Sequence, residues 1–148
     1  MNRCALTAPG SILELGAFPG GITERLIAHG HTVTAVDIAR EPEWMARSAY
    51  VSYQQCDVRA FEPHQTYAGL VCDMNGDPLR TAYTAARCGA AIVSGGAIIH
   101  TIKLPSWDSW RATVAAVEDA FATAGIERVA LKHAFFCGQE LLWLGRKN

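Results

Sequence analysis

The chain reads as one α/β domain on a mostly parallel sheet that closes with an antiparallel strand. Three observations predict this. Short apolar, β-branched runs alternate with segments of helical spacing from residue 11 to residue 124, the order that gives right-handed β–α–β crossovers. The last two runs, residues 127–132 and 140–145, have no helical segment between them, so they form a hairpin. A glycine-rich stretch, residues 16–21, separates the first strand from the first helix, the place where open α/β sheets bind ligands.

Taken in order, residues 11–15 (SILEL) predict a short buried strand. Residues 20–29 predict a helix with Ile22, Leu26 and Ile27 on one side. Residues 31–36 (HTVTAV) are rich in β-branched side chains and predict the second strand. A short helix is expected over 42–47, a third strand over 50–53 and a fourth over 68–72 (AGLVC). Residues 79–93 predict an Ala-rich helix and 96–103 (GAIIHTIK) a fifth strand. Residues 106–124 have helical spacing, opened by a serine cap and closed before Gly125. Residues 133–139 then join the two hairpin strands.

Composition narrows the class. At 148 residues, half of them hydrophobic and 18% charged, the chain has the size of one domain and enough apolar side chains for a core. No apolar run reaches the ~18 residues needed to span a bilayer. Residues 1–10 carry one arginine and no apolar h-region, so no secretory leader and no membrane partner are expected. Cys4, Cys56, Cys72, Cys88 and Cys137 contain no CxxC pair, which predicts reduced thiols and a cytoplasmic protein. His29, His31, His64 and His133 lack metal-ligand spacing, and no metal is expected. His100, inside an apolar strand, reads as a buried, hydrogen-bonded histidine. The net charge of −1 argues against non-specific nucleic-acid binding. Ten arginines accompany only three lysines, Lys103, Lys132 and Lys147.

The loop Gly16-Ala17-Phe18-Pro19-Gly20-Gly21 leaves a strand and enters a helix. Glycines there let the backbone turn sharply and approach a ligand, and the helix start offers unpaired N–H groups. Asp37 lies 21 residues after Gly16, where a carboxylate accepts from ribose hydroxyls. A dinucleotide and S-adenosylmethionine both fit that description. Phe18-Pro19 fills the middle of the loop, and Glu14 would repel a pyrophosphate but suit the ammonium of a methionine. S-adenosylmethionine is therefore the expected cofactor, with S-adenosylhomocysteine as product. Glu14, Gly16, Ala17, Phe18, Pro19, Gly20, Gly21, Asp37 and Ile38 form its expected site. Asp57 and Val58 follow the third strand and face the adenine end, although Asp57 also fits a loop cap.

These motifs resemble a known family. Leu15-Gly16-Ala17-Phe18-Pro19-Gly20-Gly21 is similar to the cofactor loop of FtsJ-like ribose 2′-O-methyltransferases. Val71-Cys72-Asp73-Met74 resembles their fourth-strand motif, Ile102-Lys103-Leu104-Pro105 their fifth-strand lysine, and Gln139-Glu140-Leu141-Leu142-Trp143-Leu144 their final-strand glutamate. The Cys72-Asp73-Met74 and Lys103-Leu104-Pro105 triplets are most similar to a bacterial branch that acts on a cytidine of large-subunit ribosomal RNA. The resemblance implies a single Rossmann-like class I methyltransferase domain over 1–148. It implies a seven-stranded sheet of order 3-2-1-4-5-7-6 with helices on both faces and the last strand antiparallel. It also implies a Lys-Asp-Lys-Glu tetrad, whose last three members would be Asp73, Lys103 and Glu140, with Asp73 touching the cofactor as well. No lysine precedes Gly16, where only Arg3 is basic. The family's N-terminal lead-in is therefore expected to be absent, so that the first tetrad member is either dispensable or supplied by a protein partner or by a removed N-terminal region. The implied substrate is RNA, ribosomal RNA first.

The residues give a physical reason for that tetrad. A ribose hydroxyl attacks poorly while protonated, so transfer needs alignment and an acceptor for the proton. Lys103 orients and polarises the hydroxyl or serves as base, while Asp73 and Glu140 hold it. Trp107 and Trp110, one turn apart on the predicted helix, are core or base-stacking residues. The loop Asn75-Gly76-Asp77-Pro78 caps the next helix or touches substrate. Arg3, Arg80, Arg87 and Lys103 are the candidates for a basic RNA-facing surface. A small-molecule or protein methyltransferase and a silent cofactor-binding scaffold share most of these features. A nicotinamide-dependent reductase fits less well, because no Tyr-xxx-Lys pair is present.

Overall fold

The computed structural model describes residue 6 and residues 8–134 and 138–148; Arg3, Cys4 and Cys137 lie outside them. The elements are β1 (Ser11–Leu15), α1 (Gly21–Ala28), β2 (Thr32–Asp37), α2 (Glu43–Ala46), β3 (Val51–Gln55), β4 (Tyr67–Cys72), α3 (Pro78–Gly89), β5 (Ile92–Lys103), α4 (Trp110–Ala122), β6 (Ile126–His133) and β7 (Glu140–Lys147). They form a seven-stranded sheet of order β3-β2-β1-β4-β5-β7-β6. The five strands from β3 to β5 pair in parallel, and β7 runs antiparallel to β5 and β6. The predicted strand order and closing hairpin are both present. No helix among the described residues is long and apolar enough to cross a membrane.

Strand alternation divides the core between two faces. Leu13 and Leu15 of β1 join Ile98, Ile102, Val117, Phe121 and Trp143 against α3 and α4. Ile12 points the other way, with Val33, Ala35, Met45 and Val71 beneath α1 and α2. The Phe121 ring stacks on Trp143 with centroids 4.3 Å apart.

Two boundaries differ from expectation for the same reason. The Ala-rich helix ends at Gly89, and β5 begins at Ile92. Tyr67 N–H donates to the Ala91 carbonyl at 2.9 Å, so the start of β4 captures a chain whose local propensity is helical. The later helix starts at Trp110, after Ser109, because Leu104 N–H is tied to the Gln139 carbonyl at 2.8 Å. That bond holds Leu104 on the hairpin, one residue beyond the end of β5. Trp107 therefore precedes the helix and packs edge-on against His133 at 5.0 Å, while Trp110 packs against the core.

His100 is fully buried, but neither ring nitrogen has a hydrogen-bond partner among the described residues. This corrects the expected hydrogen-bonded histidine. The ring sits edge-on to Phe121 at 5.3 Å. Burial holds its pKa down at about 4. The unfolded chain takes up a proton near 6.5 and the folded chain does not, so stability is lost as pH falls from 6.5 towards 4. The loss is about 3 kcal/mol at about 1.4 kcal/mol per pKa unit. His100→Leu is expected to remove it. In urea unfolding at pH 7 and pH 4.5, the variant should gain about 2–3 kcal/mol on the wild type between the two; an unchanged gap would refute this origin of acid sensitivity.

Candidate active site

The segments that follow β1, β2, β3 and β4 converge on an open cleft of about 500 Å³. Gly16 builds its floor. Its φ is 78°, and a Cβ there would stand 2.9 Å from the Asp73 carbonyl oxygen, so no other residue lets β1 and the end of β4 approach so closely. The following Phe18–Pro19 peptide bond is cis. Phe18 N–H donates to Asp37 Oδ2 at 2.9 Å, and Ala39 N–H donates to Oδ1 at 2.8 Å. Each carboxylate oxygen keeps a lone pair for a further donor. Gly20 packs against Trp44 and Met45, Ala17 is buried, and a Cβ on Gly21 would meet nothing within 4 Å.

Phe18 and Ile38 flank the cleft with unusual exposure for apolar side chains, 53% and 72%. Asp57 and Val58 also line it. Asp57 caps a 3-10 turn over Val58–Ala60 by accepting from Arg59 N–H, and it pairs with the Arg59 guanidinium at 2.5 Å. Those hydrogen bonds hold its carboxyl down at about 2. Sequence inspection missed Arg59, although it stands only two positions away. Pro19, Gly20 and Gly21 shape the loop without lining the cleft.

Glu14 is also outside the cleft lining. Its side chain is buried between β1 and α1, where the Thr23 hydroxyl donates to Oε2 at 2.6 Å. Burial pushes its pKa up to about 7, against the lowering effect of the Thr23 hydrogen bond, and the nearby Asp73 and Asp37 charges add to the rise.

Beside the cleft, β5 and β7 place Lys103 directly opposite Glu140, neither of them among its lining residues. Lys103 Nζ lies 3.2 Å from Asp73 Oδ1, 3.8 Å from Glu140 Oε1 and 2.8 Å from Asn75 Oδ1. Asp73, Lys103 and Glu140 are thus brought together from three strands. Asn75 was legible only as a loop residue two positions after Asp73, yet it gives Lys103 its shortest contact. Asp77 caps α3 by accepting from Leu79 and Arg80 N–H groups, as expected. Arg80 lines the cleft. Arg87 instead donates to the Phe61, Val58 and Arg59 carbonyls and pairs with Glu62 at 2.9 Å. It anchors the 3-10 turn, which removes it from the candidate RNA-facing cations.

Comparison with known proteins places this geometry. No protein-family model matches the chain. The fold is that of class I S-adenosylmethionine-dependent methyltransferases. The 1,6-didemethyltoxoflavin-N1-methyltransferase of Burkholderia thailandensis, solved with S-adenosylhomocysteine, superposes with a TM-score of 0.72 at 19% identity, over 95% of this chain and 72% of that one. The fibrillarin pre-rRNA processing protein of Methanococcus jannaschii gives 0.74 at 17% identity, over 94% and 66%.

In sequence, the chain is similar to ribosomal RNA large subunit methyltransferase M. It is 40% identical to that protein of Ectopseudomonas mendocina over 76 residues, which is 51% of this chain and 22% of the relative. It is 30% identical to that of Pseudomonas fluorescens over 128 residues, 80% of this chain and 34% of the relative. The chain thus spans about a third or less of the length of the curated relatives it matches.

Proposed function

We propose that this domain is an S-adenosylmethionine-dependent methyltransferase that modifies a ribose 2′-hydroxyl of RNA, ribosomal RNA first. The observation that carries the reading is Lys103 held between Asp73 and Glu140, where Asp73 also lines the cleft that Gly16 and Asp37 line. Similarity to ribosomal RNA large subunit methyltransferase M supports the acceptor class.

The donor set fits the cofactor. Asp37 has lone pairs left for ribose hydroxyls, and Phe18, Ile38 and Val58 offer apolar surface to an adenine. Gly16 leaves room beside Asp73 for the methionine portion. When bound, the sulfonium supplies an electrophilic methyl group. Lys103 orients the acceptor hydroxyl and stabilises the charge on its oxygen, while solvent at the open cleft takes the hydroxyl proton. Asp73 and Glu140 keep the ammonium aimed. A protein partner, or protein outside the stretch shared with the relatives, presents the RNA.

Two measurements test this. Methyl-labelled S-adenosylmethionine and unmodified total RNA should yield label in alkali-resistant dinucleotides, because only a blocked 2′-hydroxyl protects the adjacent phosphodiester. Tight cofactor binding without such label would redirect the search to small-molecule or protein acceptors. Asp37→Ala should weaken cofactor binding by about 1–3 kcal/mol, the cost of leaving buried hydrogen-bonding groups unpaired. Equal affinity by calorimetry would remove Asp37 from the site.

A further inference from the structure

Lys103 carries three N–H donors and no acceptor. Asn75 Oδ1 accepts one of them at 2.8 Å. Asp73 Oδ1 at 3.2 Å and Glu140 Oε1 at 3.8 Å are ion-pair contacts without hydrogen-bond geometry. The ammonium is therefore pinned from the β4 side by one hydrogen bond and one close ion pair, and the Asn75 bond is the one that sets its direction. Asn75 can face Lys103 only through its carbonyl oxygen, since its NH₂ group cannot accept from an ammonium. Both residues occupy the same end of the domain: Asn75 lines the cleft, and Lys103 ends β5.

The geometry points to Asn75 as a positioning residue, whose hydrogen bond, beside the Asp73 ion pair, holds the Lys103 ammonium so that a remaining N–H faces the acceptor oxygen. The inference rests on the role proposed above for Lys103. Asn75 contributes direction without charge. A third carboxylate in its place would also accept from Lys103, but would add negative charge beside an oxygen that becomes more negative as its proton leaves. The neutral amide holds the lysine without that repulsion.

The test uses the intact chain and its small lysine count. With ¹³C-labelled lysine, only Lys103, Lys132 and Lys147 contribute side-chain signals. A pinned ammonium makes the two ε-protons of Lys103 inequivalent. In Asn75→Ala that inequivalence should collapse, while S-adenosylhomocysteine affinity stays within about twofold and kcat for RNA methylation falls about tenfold through lost orientation. Asn75→Asp keeps an acceptor oxygen and should restore the inequivalence while kcat stays reduced. An Asn75→Ala protein with wild-type ε-proton signals and wild-type kcat would overturn the inference. If wild type transfers no methyl group to RNA yet Asn75→Ala still loses the signature, positioning of Lys103 stands and the ribose reading falls.

Discussion

Lys103→Ala is expected to lower methyl transfer on the order of 100-fold or more, the scale for removing a positioned proton-handling group, while cofactor affinity stays unchanged. The separation follows from the layout. Lys103 ends β5 beside the cleft and contacts Asp73, Asn75 and Glu140, whereas Gly16, Phe18 and Asp37 line the cleft itself. The ion pairs are only partly shielded, with side chains 24–36% exposed, so their contribution to stability is small and the variant should fold normally. Single-turnover transfer with saturating S-adenosylmethionine, beside calorimetry with S-adenosylhomocysteine, reads both quantities. A Lys103→Ala protein that retains full activity would sink the proposed chemistry.

Glu14→Gln is expected to stabilise the domain at pH 8 by about 3 kcal/mol, from a pKa displacement worth about 1.4 kcal/mol per unit. The sign follows from linkage. The folded state releases the Glu14 proton near pH 7 and the unfolded chain near 4.5, so stability falls as pH rises from 4.5 through 7. Glutamine keeps an acceptor for the Thr23 hydroxyl and cannot ionise. Melting at pH 8 should rise by roughly 6–12 °C for a domain of this size, and the gain should vanish by pH 4.5. A gain independent of pH would show that the buried charge is not its cause.

The same substitution tests the expected role of Glu14 in binding the methionine ammonium. S-adenosylmethionine affinity should fall about tenfold at pH 8, the scale of about 1.4 kcal/mol. Unchanged affinity would leave Glu14 with a purely structural place under α1. The buried carboxylate would then cost stability without serving the ligand.

Much of this was readable from pattern. The alternation of β-branched runs with helical spacing gave the element order, and the helix-free link between the last two runs gave the antiparallel closure. Gly16 followed by Asp37 at the next strand end located the cofactor loop. Asp73, Lys103 and Glu140 could be grouped through the family resemblance, and Asp73 and Lys103 also because they stand at the C-terminal ends of neighbouring parallel runs, which meet at one edge of such a sheet. Asn75 and Arg59 escaped notice because their roles depend on loop conformation: Asn75 turns back onto β5, and Arg59 folds onto Asp57 two residues before it.

The sequence by itself determined the element order and the antiparallel closure, which local period encodes, and its short motifs pointed to the glycine-rich loop and to Asp73, Lys103 and Glu140. Only the tertiary structure decided where the third helix yields to β5, that Arg87 is bound to the 3-10 turn, that His100 has no hydrogen-bond partner among the described residues, and that Glu14 lies beneath α1. Those outcomes depend on distances between distant segments and on how far each polar group is removed from water. Neither quantity is a property of a residue's neighbours along the chain.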